Sequence, residues 1–119
     1  MRSAKGGGRR AIGPYIGVVP ARLSRLEQLS LPGCPRVFVA RTARTRLLGL
    51  AWLDDMPRDC ALLIPHCSSV HTFGMRFALD VCFLDGEGLV VRRERAVPPR
   101  RFVTCSGAAA VLERRADPG

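Results

Sequence analysis

An Asp-Gly step at Asp85-Gly86 separates two apolar, β-rich runs, Phe77-Ala78-Leu79-Asp80-Val81-Cys82-Phe83-Leu84 before it and Leu89-Val90-Val91 after it. Asp-Gly favours the tight turn that reverses a strand on itself, so this stretch is expected to form a hairpin. Val37-Phe38-Val39, Cys60–Ile64 ended by Pro65, Arg101-Phe102-Val103 and Ala109–Leu112 are further runs of strand length. One helix fits among them. Thr42 is a suitable N-cap for the residues after it, with Leu47, Leu50 and Trp52 expected to turn inward. The fold class expected is mainly β (β-rich α+β): a small antiparallel, partly closed β-barrel with one short helix near residues 42–50.

A chain of 119 residues leaves room for one domain. Residues 1–33 hold Gly6-Gly7-Gly8, Pro14, Pro20 and Pro32 among basic residues, which suits a flexible basic arm. Within it, Leu23, Leu26 and Leu29 have the spacing of a short docking helix over Ala21–Leu29. Residues 34–119 are then expected to form the single compact β-rich domain.

Nineteen Lys plus Arg against ten Asp plus Glu give a net charge of +9, and Lys5 is the single lysine. That balance attracts polyanions. However, Arg22, Arg36, Arg58, Arg76 and Arg114 are scattered along the chain without interleaved stacking aromatics, so nucleic acid is not the expected partner beyond non-specific contact through arginines. No apolar run is long enough to span a membrane. Five cysteines at irregular spacing, with no Cys-x-x-Cys pair, argue against a disulfide framework and for a reducing compartment. A cytoplasmic location is therefore expected. The alternative is export, because basic Met1–Arg10 precedes the apolar stretch Ala11–Val19; Gly13, Pro14 and Gly17 interrupt that stretch.

Between Ser68 and Asp85 the residues with chemical potential crowd together. Cys60, His66, Cys67, His71 and Cys82 are of metal-ligating type, but adjacent His66 and Cys67 point apart in an extended chain, and Cys60 and Cys82 sit in apolar runs. Neither metal nor cofactor is expected. Cys67, His71 and Asp80 are the ingredients of a thiol- or histidine-dependent hydrolytic centre, with Asp80 orienting the imidazole; the plainer reading is a loop cysteine beside a structural histidine. Asp80 interrupts an apolar strand. Alternation puts Leu79, Val81 and Phe83 on one face and Asp80, Cys82 and Leu84 on the other, so the carboxylate is expected to be partly buried and held by His71, Arg76 or backbone donors. His71, Phe73 and Met75 share a side and either floor a pocket or pack in the core.

Gly49-Leu50, Ala61–Pro65, Ser69-Val70-His71-Thr72-Phe73-Gly74-Met75-Arg76-Phe77-Ala78-Leu79-Asp80, Gly88-Leu89-Val90 and Ala109–Glu113 together resemble the family called domain of unknown function 192, over about residues 35 to 115. The resemblance implies a compact, mainly β domain with a short helix near residues 42–50, and no established activity. Many relatives carry Phe-Trp-Met-Lys-Asn-Thr where this chain has Val70 to Met75, which places a tryptophan at His71 and a lysine at Phe73. Asp80 fits the shared pattern. The functional expectation is a non-enzymatic binding or accessory module for a protein or small ligand, with His71, Phe73, Met75, Arg76 and Asp80 as its ligand-binding residues and no catalytic residue. The alternative is the enzyme using Cys67, His71 and Asp80.

Overall fold

The computed structural model describes residues 18–117. In chain order the elements are α1 (Ala21–Ser24), β1 (Glu27–Leu31), β2 (Cys34–Val39), α2 (Ala43–Leu48), β3 (Cys60–Pro65), β4 (Ser69–His71), β5 (Leu79–Leu84), β6 (Val90–Val97), β7 (Phe102–Thr104) and β8 (Ala110–Arg115). Six strands make the main sheet in the order β1-β2-β3-β8-β5-β6, while β4 and β7 form a separate antiparallel pair.

The expected hairpin is β5–β6. Asp85 closes its turn by accepting the N–H groups of Glu87 and Leu89 on one carboxylate oxygen, and Gly88 takes the positive φ of 86° that the reversal needs. Alternation along β5 also holds: Leu79, Val81 and Phe83 are fully buried while Asp80 and Cys82 are partly exposed.

Three expectations about the architecture change. The sheet is mixed, because β2 and β3 run parallel with Val37 beside Ala61 and Phe38 beside Leu62. A parallel pair needs a crossover long enough to carry the chain back, and α2 with the loop after it supplies one. The sheet is also open rather than closed, since β1 and β6 are its two edges. The docking helix expected over Ala21–Leu29 shrinks to α1, a single turn over Ala21–Ser24 that buries Leu23, so two helices lie among the described residues.

The expected boundary at residue 34 falls inside the connection between two paired strands. Gln28 and Leu29 of β1 sit opposite Phe38 and Val37 of β2, so residues 18–33 contribute a helix and an edge strand to the domain. Leucines three apart suggested a helix over Ala21–Leu29; the same leucines serve α1 and a β-strand, because Leu29 and Leu31 pack beside Val37 on the sheet. The rest of the expected arm, residues 1–17, lies outside the described residues.

The main core lies on one face of the sheet. Phe38, Leu62, Ile64, Val81, Phe83 and Val111 pack there against Leu23 of α1, Val70 of β4, Met75 and Leu50. The opposite face carries a smaller cluster of Cys34, Val37 and Ala61, flanked by Leu29, Leu31, Leu63 and Leu112.

Helix α2 begins as the sequence indicates. Thr42 caps the N–H of Thr45, and the Thr45 side chain returns a bond to the N–H of Thr42. It ends at Gly49, whose φ of 53° turns the chain abruptly. That turn breaks the helical period, so Leu50 is buried while Leu47 and Trp52 point outward.

A chain beginning at residue 34 lacks β1 and the buried Leu23. It is expected to be less stable than the full chain by about 3 kcal/mol or more, from lost apolar burial alone, as read from urea midpoints; an equal midpoint would return the domain boundary to residue 34.

Candidate functional site

Three buried side-chain atoms among the described residues have no hydrogen-bond partner in the protein: Nε of Arg46, Nδ1 of His71 and Oε1 of Glu113. All three residues line one cavity of about 220 Å³, with Leu48, Ile64 and Met75 among its apolar walls and Phe102 and Leu47 exposed beside it. Buried polar groups are normally paired, because each one left without a partner costs about 1–3 kcal/mol. Three such atoms around a single cavity make it the candidate site.

Each is held by a different element. Arg46 extends from α2 and is fixed by its terminal NH2, which donates to the carbonyl of His66 at 2.6 Å. His66 thus contributes its backbone, which takes an unusual φ of 54° there. His71 ends β4, and its Nε2 lies 3.1 Å from the carbonyl oxygen of Leu47. A carbonyl only accepts, so Nε2 carries the hydrogen, and in the neutral ring Nδ1 is left as an open acceptor. The ring also leans against Phe73, with centroids 6.0 Å apart.

Glu113 is the residue that gives the cavity its character. It sits on β8 between Leu62 of β3 and Val81 of β5, at the centre of the sheet and on its core face. It is 1% exposed. Burial among apolar side chains penalises the ionised form and pushes the carboxyl from 4.5 up to about 8. At neutral pH the group is therefore mainly a neutral acid, able to donate as well as accept a hydrogen bond. Gly49 is close by necessity: a Cβ there would lie 3.2 Å from Oε1 of Glu113.

Below the site, Thr72 acts as a rivet. It is fully buried, donates its hydroxyl hydrogen to the carbonyl of Pro98 at 2.7 Å and accepts the N–H of Arg101 at 2.8 Å. These bonds tie the end of β4 to the segment entering β7 and so fix where His71 and Phe73 stand. Gly74 follows with a φ of 80°, and its carbonyl accepts the N–H of Trp52 at 2.8 Å. The indole covers this glycine closely enough that a Cβ would meet it at 3.0 Å. Leu47, Trp52 and Phe73 line an apolar groove that adjoins the cavity through His71.

The site residues expected from the sequence divide between the two faces of the sheet. His71 and Met75 line the cavity, and Phe73 stands half-exposed beside it. Arg76 is drawn away by an ion pair with Asp54. Asp80 is on the opposite face, beside Arg114, with its Oδ1 accepting the N–H of Ala96 at 2.8 Å. Neither His71 nor Arg76 holds it; a backbone donor does. The hydrolytic trio is consequently not assembled: the Cys67 thiol donates to the carbonyl of Ser69 at 2.9 Å, His71 donates to Leu47, and Asp80 is beyond the sheet. Cys60, buried beside Asp59, has its thiol pushed up to about 11, chiefly by desolvation. No three His, Cys, Asp or Glu side chains gather into a metal-binding group among the described residues.

Arg46 and Glu113 were missed because each lies in a different part of the chain from the Ser68–Asp85 cluster. Glu113 left one signal: on a strand, its two-residue spacing from Val111 places it on the same inward face.

Residues 30–117 match the domain of unknown function 192 family, described as "Uncharacterized ACR". No curated protein matches the chain. Two crystal structures share its fold. One, of a protein of unknown function from Novosphingobium aromaticivorans, is 17% identical with a TM-score of 0.66, covering 92% of this chain and 89% of that one. The other, from Sinorhizobium meliloti and provisionally named a transcription regulator, is 20% identical with a TM-score of 0.63, covering 68% of each chain. No described helix is long and apolar enough to cross a membrane.

Because the folded state holds a proton on Glu113 that the unfolded chain releases near pH 4.5, stability is expected to fall as pH rises from about 4.5 to 8 and to level off above that. Glu113→Gln keeps a neutral side chain of the same shape and is expected to remove most of that slope. Urea midpoints taken across this range check it, and an identical slope in both proteins would show that Glu113 is ionised in the fold.

Proposed function

This chain belongs to the domain of unknown function 192 family, described only as uncharacterised, and from its own geometry we propose that it is a binding module taking a small, uncharged polar ligand into the cavity between α2, β4 and β8. The observation that supports this reading is the convergence of Arg46 Nε, His71 Nδ1 and Glu113 Oε1, each buried and without a partner, on one cavity.

Their hydrogen-bonding characters select the ligand class. Arg46 Nε can only donate, neutral His71 Nδ1 can only accept, and a protonated Glu113 does either. A ligand presenting an acceptor and a donor side by side, such as a primary carboxamide, matches this set. An ammonium ion would face the Arg46 guanidinium and require the buried Glu113 to ionise, and a carboxylate would leave neutral His71 Nδ1 facing another acceptor. The apolar walls contributed by Leu48, Ile64 and Met75 accommodate a short hydrocarbon body.

Trp52 provides the readout, being the single tryptophan of the chain and lining the groove next to the cavity. Small carboxamides, carboxylates, amines and alcohols are titrated while the indole resonance and emission are followed. Carboxamides are expected to bind best, and Arg46→Met or His71→Ala to weaken them at least tenfold, about 1.4 kcal/mol. Equal binding of all four classes, or binding unchanged in both variants, would refute the assignment.

A further inference from the structure

The face of the sheet opposite the cavity holds a second groove, of about 430 Å³, and it is built differently. Its floor is apolar: Leu31 at the end of β1, Cys34 at the start of β2, Cys82 and Leu84 from β5, and Leu112 from β8. Arg93, Arg95 and Arg114 line it as well, with Asp80 between them. The groove continues into a polar extension of about 400 Å³ that shares Asp80, Arg95 and Arg114 and adds Arg58, Asp59 and Arg115. One end is therefore hydrocarbon and the other guanidinium-rich, with Arg95 and Arg114 at the junction.

Charges in the extension mostly cancel. Asp59 is bound by both arms of Arg36, Arg115 pairs with Asp55, and Arg58 pairs with Asp117. Arg114 donates to the carbonyl of Arg58, a neutral partner that leaves the Arg114 charge unbalanced. The side chains of Arg93 and Arg95 have no ion-pair or hydrogen-bond partner among the described residues, whereas their neighbour Arg92 is paired with Glu94. Against these three cations stands one carboxylate, Asp80, which already accepts the N–H of Ala96. That bond fixes an irregularity in β6, where Ala96 takes a φ of 52° and the register to β5 slips between Leu79 and Val81. A net positive charge of two is left facing an apolar floor.

We propose that this groove binds a small amphipathic anion, a free carboxylate with a short aliphatic body, its head between Arg95 and Arg114 and its chain along Leu112 and Leu84. A groove of this volume suits one chain rather than a bilayer surface, and an apolar floor is ill-suited to a phosphodiester backbone. Asp80, through Ala96, braces the bulge next to Arg95.

The test is titration of the full chain with octanoate, followed by amide resonances, with octanol, acetate, inorganic phosphate and a short DNA duplex as comparisons. Octanoate is expected to shift residues of β6 and β8 while leaving the Trp52 indole unmoved, and to bind at least tenfold more tightly than octanol or acetate. The double variant R93Q/R95Q alters exposed side chains without partners and is expected to weaken octanoate at least tenfold. Leu112→Asn is expected to weaken it through the floor alone. Binding of octanol as tight as octanoate, or of acetate or phosphate as tight, would overturn the proposal. So would movement confined to Trp52, a DNA-only response that collapses with salt, or full octanoate affinity in R93Q/R95Q.

Discussion

A carboxyl group buried at the middle of the sheet shapes the cavity on its core face. Glu113 occupies a position that strand alternation reserves for an apolar side chain, between Leu62 and Val81 and in line with Val111. Replacing it by a hydrocarbon of similar volume would remove an unsatisfied polar atom at no cost to packing. Burial instead keeps the acid protonated to about pH 8. The features around it follow from accommodating that group: Gly49 leaves space where a Cβ would press on Oε1, Arg46 reaches in from α2 while anchored to the His66 carbonyl, and His71 is oriented by the Leu47 carbonyl so that its free nitrogen is an acceptor.

Two sides with different chemistry result. On the core face the cavity is small and combines the Arg46 guanidinium with a buried neutral acid, Glu113, and the His71 ring bonded through Nε2 to a carbonyl. On the other face the sheet is open, and unpaired arginines stand beside an apolar floor. The open seam between β1 and β6 is what makes the second groove possible, since a closed barrel would have turned one of these faces into solid core. Asp80 and His71, close in sequence, serve separate sides because β5 lies in the main sheet and β4 in the two-stranded one.

Much of the fold was legible in residues whose local preference and tertiary role coincide. Asp85 and Gly88 make the β5–β6 turn, Thr42 caps α2, and the alternation of Leu79, Val81 and Phe83 gives the buried face of β5. What local pattern could not supply was pairing: nothing in Val37 or Ala61 announces that their strands run parallel, and Leu29 obeys a helical spacing while lying in a strand. The site suffered more. His71 and Met75 were visible as a cluster, but the other residues of the cavity, Arg46 and Glu113, lie 25 residues before His71 and 42 after it, and only the packing of α2 and the β4–β7 pair on the core face of the main sheet brings them together. Asp80 was rightly singled out as anomalous in an apolar strand, yet its partner is a backbone N–H on β6, which no side-chain pattern encodes.

The cavity's hydrogen-bonding character depends on Glu113 being a neutral acid, and the most direct measurement is its own titration, followed through the side-chain carboxyl carbon resonance in the full chain. A midpoint near pH 8 is predicted; a midpoint near 4.5, the value of an ordinary glutamate, would mean a wet, ionised site and would contradict it.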